Sequence, residues 1–133
     1  MNSPYMITLP SHPDASGVLT VADRTSIPFI PKRAFWITGM SGERGNHAHI
    51  NCKQFIVALQ GRAKVSIHTN DGIGAVYFLE REDNGLFVPT LVFISIKPLT
   101  DDAILLVLAS DDYDPEDYVY SIHETTTLAA AYA

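Results

Sequence analysis

Short runs of β-branched and aromatic residues, closed by turn clusters at roughly 8 to 12 residue spacing, constrain this chain more than any other feature. The runs are Val18 to Ala22, Ala34 to Thr38, Gln54 to Leu59, Ala63 to His68, Ala75 to Leu79, Leu86 to Val88, Val92 to Ile96 and Ala103 to Leu108. Between them stand Ser41-Gly42, Gln60-Gly61, Asn70-Asp71-Gly72, Asp83-Asn84-Gly85 and Thr100-Asp101-Asp102, residues that favour turns over continued strand. Asp71-Gly72 suits the positive φ angles of a tight hairpin. No stretch sustains a 3.6-residue apolar period, so helices do not organise the chain. The spacing predicts an all-β sandwich or barrel.

Alternation refines this. In Lys64-Val65-Ser66-Ile67-His68 the apolar residues fall on one face, whereas Ile104 to Leu108 is apolar on both and belongs in a sheet centre or at an interface. Asp114 followed by Pro115 reads as the cap and first residue of one helical turn, and Thr125 to Ala133 reads as a frayed end. The 133 residues suit one domain with its core at about 11–120.

With 47% apolar and 18% charged residues the composition is globular, and the net charge of −6 argues against sequence-independent nucleic-acid binding, which needs excess Lys and Arg. The single cysteine, Cys52, allows no intrachain disulfide and reads as a small buried apolar residue. The start of the chain has no signal-peptide pattern, and Ala103 to Ala109 is too short for a membrane span. A cytoplasmic location is expected.

The chemistry concentrates in Gly42-Glu43-Arg44-Gly45-Asn46-His47-Ala48-His49. On a strand, His47 and His49 point to the same face. An isolated His-x-His would suit a solvated surface pair; Arg44 between glycines, and the spacing to Gln54 and Gly61, favour a pocket. That spacing resembles the first cupin motif, with Gln54 at the position of its Glu. The second motif's turn is present as Gly85-Leu86-Phe87-Val88-Pro89, but no histidine follows it. Two imidazoles and a neutral amide make a poor site for a first-row divalent metal, so no metal and no cofactor are expected. The same pair suits proton transfer, because imidazole titrates near neutrality. Arg33 and Arg44 flank the region and match phosphate geometry. Phe35 and Trp36 read as core residues, and the acidic run Asp111 to Asp117 as a solvated turn.

Taken together, Arg44 to His49, Gln54, Gly85 to Pro89, and Leu105 to Tyr118 resemble the WxcM-like sugar 3,4-ketoisomerases. The resemblance implies a cupin-type jelly-roll β-barrel and a metal-independent isomerase. It would move the keto group of a nucleotide-linked 4-keto-6-deoxyhexose from C4 to C3, with dTDP-4-keto-6-deoxyglucose as the expected ligand. The product would feed deoxyamino-sugar synthesis for surface glycans. His47 and His49 become the acid/base residues, with His49 the first choice for moving the proton. Arg33, Arg44 and Gln54 become substrate-binding residues, and a homodimer is implied. The chain departs from the family pattern at Ser16, Ile50 and Tyr120. It also departs at Phe35 and Trp36, where tyrosine is usual, so a pocket phenol is expected to be missing. Two other readings stand beside this one, a non-catalytic cupin that binds a sugar or nucleotide sugar, and a small metal-dependent cupin enzyme.

Overall fold

A computed structural model describes residues 3–132. Twelve strands are present: β1 (Tyr5–Thr8), β2 (Ser11–Asp14), β3 (Gly17–Thr20), β4 (Arg33–Ile37), β5 (Arg44–His49), β6 (Gln54–Gln60), β7 (Ala63–Thr69), β8 (Gly72–Leu79), β9 (Asn84–Val88), β10 (Phe93–Pro98), β11 (Ile104–Ala109) and β12 (Tyr118–Val119). A 3₁₀ turn spans Pro115–Asp117 and one helix, α1, spans Ile122–Ala131.

The strands form two five-stranded antiparallel sheets, ordered β1-β9-β6-β11-β4 and β12-β5-β10-β7-β8, with β2-β3 as a separate hairpin. Sequence neighbours are rarely sheet neighbours, which is jelly-roll connectivity. The two sheets pack face to face without closing into one continuous barrel. Their inner faces meet through Ile56, Val65, Leu79, Leu86, Ile94, Leu105 and Val107. Fully burying one such side chain contributes roughly 1.5–3 kcal/mol.

Strand β11 is apolar on both faces because it is central. Leu105 and Val107 enter the inter-sheet core, while Leu106 and Leu108 join an outer cluster with Leu9, Ile27, Phe29, Phe55, Val57 and Phe87. Residues 70 and 71 connect β7 to β8, with Gly72 following at φ 118°, as the Asp-Gly signal predicts.

Two local expectations are corrected. Trp36 is 68% exposed rather than core, because β4 is an edge strand and its alternation sends Phe35 inward and Trp36 outward. The segment after Ser121 is a helix through Ala131 rather than a frayed end; Ala133 lies outside the described residues. Ser121 caps it by accepting from the Glu124 amide at 3.1 Å, and Ser-Ile-His-Glu is the sequence of a capping box. Ile122 and Leu128 then pack on Ala48, Phe93 and Val119, anchoring the helix to the end of β5.

Candidate active site

Strand β5 carries the histidine pair, and a bulge at its start aims it. Opposite β10, Ile94 pairs with His47 and Ser95 with Gly45, so Asn46 is an extra residue. Gly45 at φ 83° and Asn46 at φ 58° both take the left-handed conformation, which glycine and asparagine tolerate best. A Cβ on Gly45 would lie 3.1 Å from the Ile94 carbonyl oxygen, so the close approach also requires glycine. After the bulge the strand resumes regular alternation, and the His47 and His49 rings stand 4.9 Å apart, edge to face.

Behind His49 lies a residue that sequence reasoning had assigned to a solvated turn. Asp117 is only 7% exposed. Its Oδ1 accepts from the Asn51 amide at 2.7 Å, and its Oδ2 accepts from the Cys52 amide at 3.2 Å and lies 3.1 Å from His49 Nδ1. A carboxylate only accepts, so it fixes the imidazole proton on Nδ1 and leaves Nε2 as the basic nitrogen. The frame is held further by the Ile50 amide, which donates to the Asp117 carbonyl at 2.9 Å, and by pairing of β12 with β5, Tyr118 opposite His49. The Asp114 side chain accepts from the Glu116 amide and caps the turn that delivers Asp117. That cap was legible as Asp-Pro; the inward direction of Asp117 was not.

In front of the pair, a cavity of about 370 Å³ opens between the sheets. Arg44, His47, Gln54, Tyr118 and Tyr120 supply its polar wall, and Phe35 and Ile94 part of its apolar wall. Among the described residues, His47 Nδ1 and His49 Nε2 are buried with no hydrogen-bond partner. Burial pushes the His47 pKa down to about 4, with the nearby His49 charge adding to the effect. Burial also lowers the His49 pKa, while the bond to Asp117 pulls the other way. Both rings are therefore neutral at neutral pH, each with one unpartnered nitrogen among the described residues.

The predicted residues divide. Arg44, His47 and Gln54 come together on the cavity wall, and His49 stands beside them, 6% exposed. Arg33 is not among the cavity residues: Nε donates to the Asp111 carbonyl at 3.2 Å and the guanidinium sits over the Phe35 and Tyr113 rings. The phenol expected to be missing from β4 is supplied from the other end of the chain. Tyr118 packs 4.4 Å from His49 and 5.0 Å from His47, and it stacks on Tyr120 at 5.9 Å. The donors on this cavity do not fit a cupin metal: His47 and neutral Gln54 stand beside cationic Arg44, with Leu91 and Val92 after the second-motif turn.

The chain is 34% identical over 109 residues to TDP-4-oxo-6-deoxy-alpha-D-glucose-3,4-oxoisomerase of Aneurinibacillus thermoaerophilus, covering 80% of this chain and 78% of that protein. Among solved structures it is similar to QdtA, a sugar 3,4-ketoisomerase from Thermoanaerobacterium thermosaccharolyticum in complex with TDP (30% identity, TM-score 0.85, 93% of this chain and 95% of that one). It is also similar to the WlaRB TDP-quinovose 3,4-ketoisomerase from Campylobacter jejuni (27% identity, TM-score 0.87, 96% and 99%). The family model described as FdtA: WxcM-like, C-terminal, matches residues 2–129, and the chain belongs to that family.

Proposed function

We propose that this chain is a sugar-nucleotide 3,4-ketoisomerase, moving the keto group of a TDP-linked 4-keto-6-deoxyhexose from C4 to C3. The observation that carries the reading is a pair of neutral imidazoles beside a sugar-sized cavity, each with one ring nitrogen unpartnered among the described residues and one of them oriented by a buried carboxylate. The relatives support the substrate class, since one is named for TDP-4-oxo-6-deoxyglucose and another was solved with TDP.

The reaction needs a base at C3 and a proton donor at C4. An imidazole takes the C3 proton, O4 gains a proton to give the enediol, the C3 hydroxyl proton leaves, and C4 receives a proton. His47 forms part of the cavity wall, which supports a role for it, beside the expected His49, in taking the carbon-bound proton. Its depressed pKa makes the imidazolium a strong acid that returns the proton readily. His49 shares the relay, its Asp117 partner stabilising the charged ring. Tyr118 and Tyr120 offer hydroxyls to the sugar oxygens, and Arg44 offers a local positive charge to an anionic ligand despite the net charge of −6.

The setting follows the same reading. A homodimer would cover the exposed Trp36 and Leu59 on the first sheet. The product, a 3-keto sugar, suits an aminotransferase in surface-glycan synthesis, and a cytoplasmic location fits a nucleotide-sugar substrate. Among the described residues no helix is long and apolar enough to cross a membrane.

The test is proton NMR of TDP-4-keto-6-deoxyglucose with the protein in deuterated buffer, wild type beside His47→Asn and His49→Asn. Product formation with deuterium entering the sugar, lost in both variants, supports the proposal. Ligand binding with neither exchange nor product in the wild type would reject it.

A further inference from the structure

His49, Cys52 and Asp117 are all buried, and one ligand atom from each (a ring nitrogen, Sγ and a carboxylate oxygen) lies within 4.8 Å of the others. His49 Nδ1 and Asp117 Oδ2 are already 3.1 Å apart. Tetrahedral zinc, with bonds of about 2.0–2.3 Å, holds its ligand atoms roughly 3.3–3.8 Å apart, so small side-chain rotations would close the set. Cys52 is free to make one. Among the described residues its sulfur has only long contacts, to the Lys53 carbonyl at 3.5 Å, Arg33 Nη2 at 3.9 Å and Ser110 Oγ at 4.0 Å. Nitrogen, thiolate and carboxylate together select zinc-like cations over magnesium or calcium.

Of the three ligands, Asp117 also borders a second cavity, from which a cation would enter. This cavity, about 410 Å³, is lined by Asp111, Asp112, Asp114 and Asp117 with Lys32, Asn51 and Tyr113. It would draw cations in and leave water for a fourth ligand position. Arg33 beside Cys52 Sγ would offset the charge of a metal-bound thiolate, and Asp111 beside Ser110 would keep the local charge near balance. The backbone frame is fixed beforehand, because the amides of Asn51 and Cys52 both donate to Asp117.

We propose that a zinc-class divalent cation binds His49 Nδ1, Cys52 and Asp117 and thereby switches off the adjacent imidazole base. Metal on Nδ1 forces the ring proton onto Nε2, and the nitrogen that would accept a proton no longer can. The inhibitory half of this inference rests on the isomerase reading; the binding half does not.

Cobalt titration of the tag-free protein separates the two. Cys52 is the only sulfhydryl, so a thiolate-to-cobalt charge-transfer band reports this site alone. The expected result is a band saturating at one cobalt per chain and bleached by zinc. In Cys52→Ser, and in Cys52→Ala as a second variant, the band is absent and zinc affinity falls by roughly 10- to 100-fold. With zinc at ten times its dissociation constant, wild-type turnover falls roughly tenfold, recovers with chelator, and is spared in both variants. Absence of the band in wild type overturns the site whether or not the chain isomerises sugar. Equal inhibition of wild type and both variants, or a band with undiminished turnover, overturns the switch. A chain that shows the band but turns over no sugar without zinc would reject the isomerase reading, while leaving the metal site supported.

Discussion

The two sides of strand β5 treat polar atoms in opposite ways. On the side toward β12, Asp117 collects the Asn51 and Cys52 amides and His49 Nδ1, and every donor finds its acceptor. Toward the cavity, which His47 lines, the pairing stops: His47 Nδ1 and His49 Nε2 are buried with no partner among the described residues. Leaving such atoms unpaired costs on the order of 1–3 kcal/mol each, so a fold does not keep them without a compensating frame. The Asp117 web and the apolar inter-sheet core provide it. The contrast teaches that the reactive face of the pair is held open by the satisfied face behind it.

The most direct way to break the contrast is to remove the reactive side. His47→Asn and His49→Asn should each lower kcat by about 10²–10⁴, the usual range for a lost acid/base residue, with the circular dichroism spectrum unchanged. Removing the supporting side should come next. Asp117→Asn keeps the shape but turns one carboxylate oxygen into a donor that faces either the Asn51 amide or both the Cys52 amide and His49 Nδ1. A kcat loss on the order of 10²-fold and a destabilisation of about 1–3 kcal/mol in urea melts are expected. Full activity in this variant would mean that His49 needs no orientation.

Gly45→Ala tests the aim rather than the chemistry. The left-handed backbone and the 3.1 Å approach to Ile94 should cost about 1–2 kcal/mol and displace His47, lowering kcat about tenfold. The smallest effect is in pH. With the His47 pKa lowered to about 4, the acid limb that this histidine imposes on kcat/KM should lie well below that of an unperturbed imidazole, which at about pH 5.5 is roughly 90% protonated. Stability moves with it. Between about 4 and 6.5 the unfolded chain binds a proton at this histidine that the folded chain does not, so stability falls as the pH drops through that window. The melting temperature should fall by roughly a few degrees, and by less in His47→Asn.

Much of this arrangement is written locally. Turn clusters and β-branched runs marked the strands from β6 to β11, and period-two alternation put both histidines on one face of whatever strand carried them. The double-sided apolarity of Ile104 to Leu108 announced a central strand, which β11 is. Short strands without a hydrophobic pattern were not legible: β1, β2 and β12 are set by their partners, and β12 is only the pair Tyr118–Val119. The capping box at Ser121 was readable in principle, but no apolar period followed it to mark a helix.

The sequence by itself determined an all-β fold, a histidine pair on one strand face, and the cavity arginine and glutamine at Arg44 and Gln54, because alternation and turn chemistry act between near neighbours. Only the tertiary structure decided that Asp117, 68 positions from His49, is buried against it rather than solvated in an acidic turn. It also decided that Tyr118 and Tyr120 bring phenols into the cavity while Arg33 turns away to Asp111. Burial and charge pairing depend on which strands become neighbours, and in a jelly roll those neighbours come from distant parts of the chain.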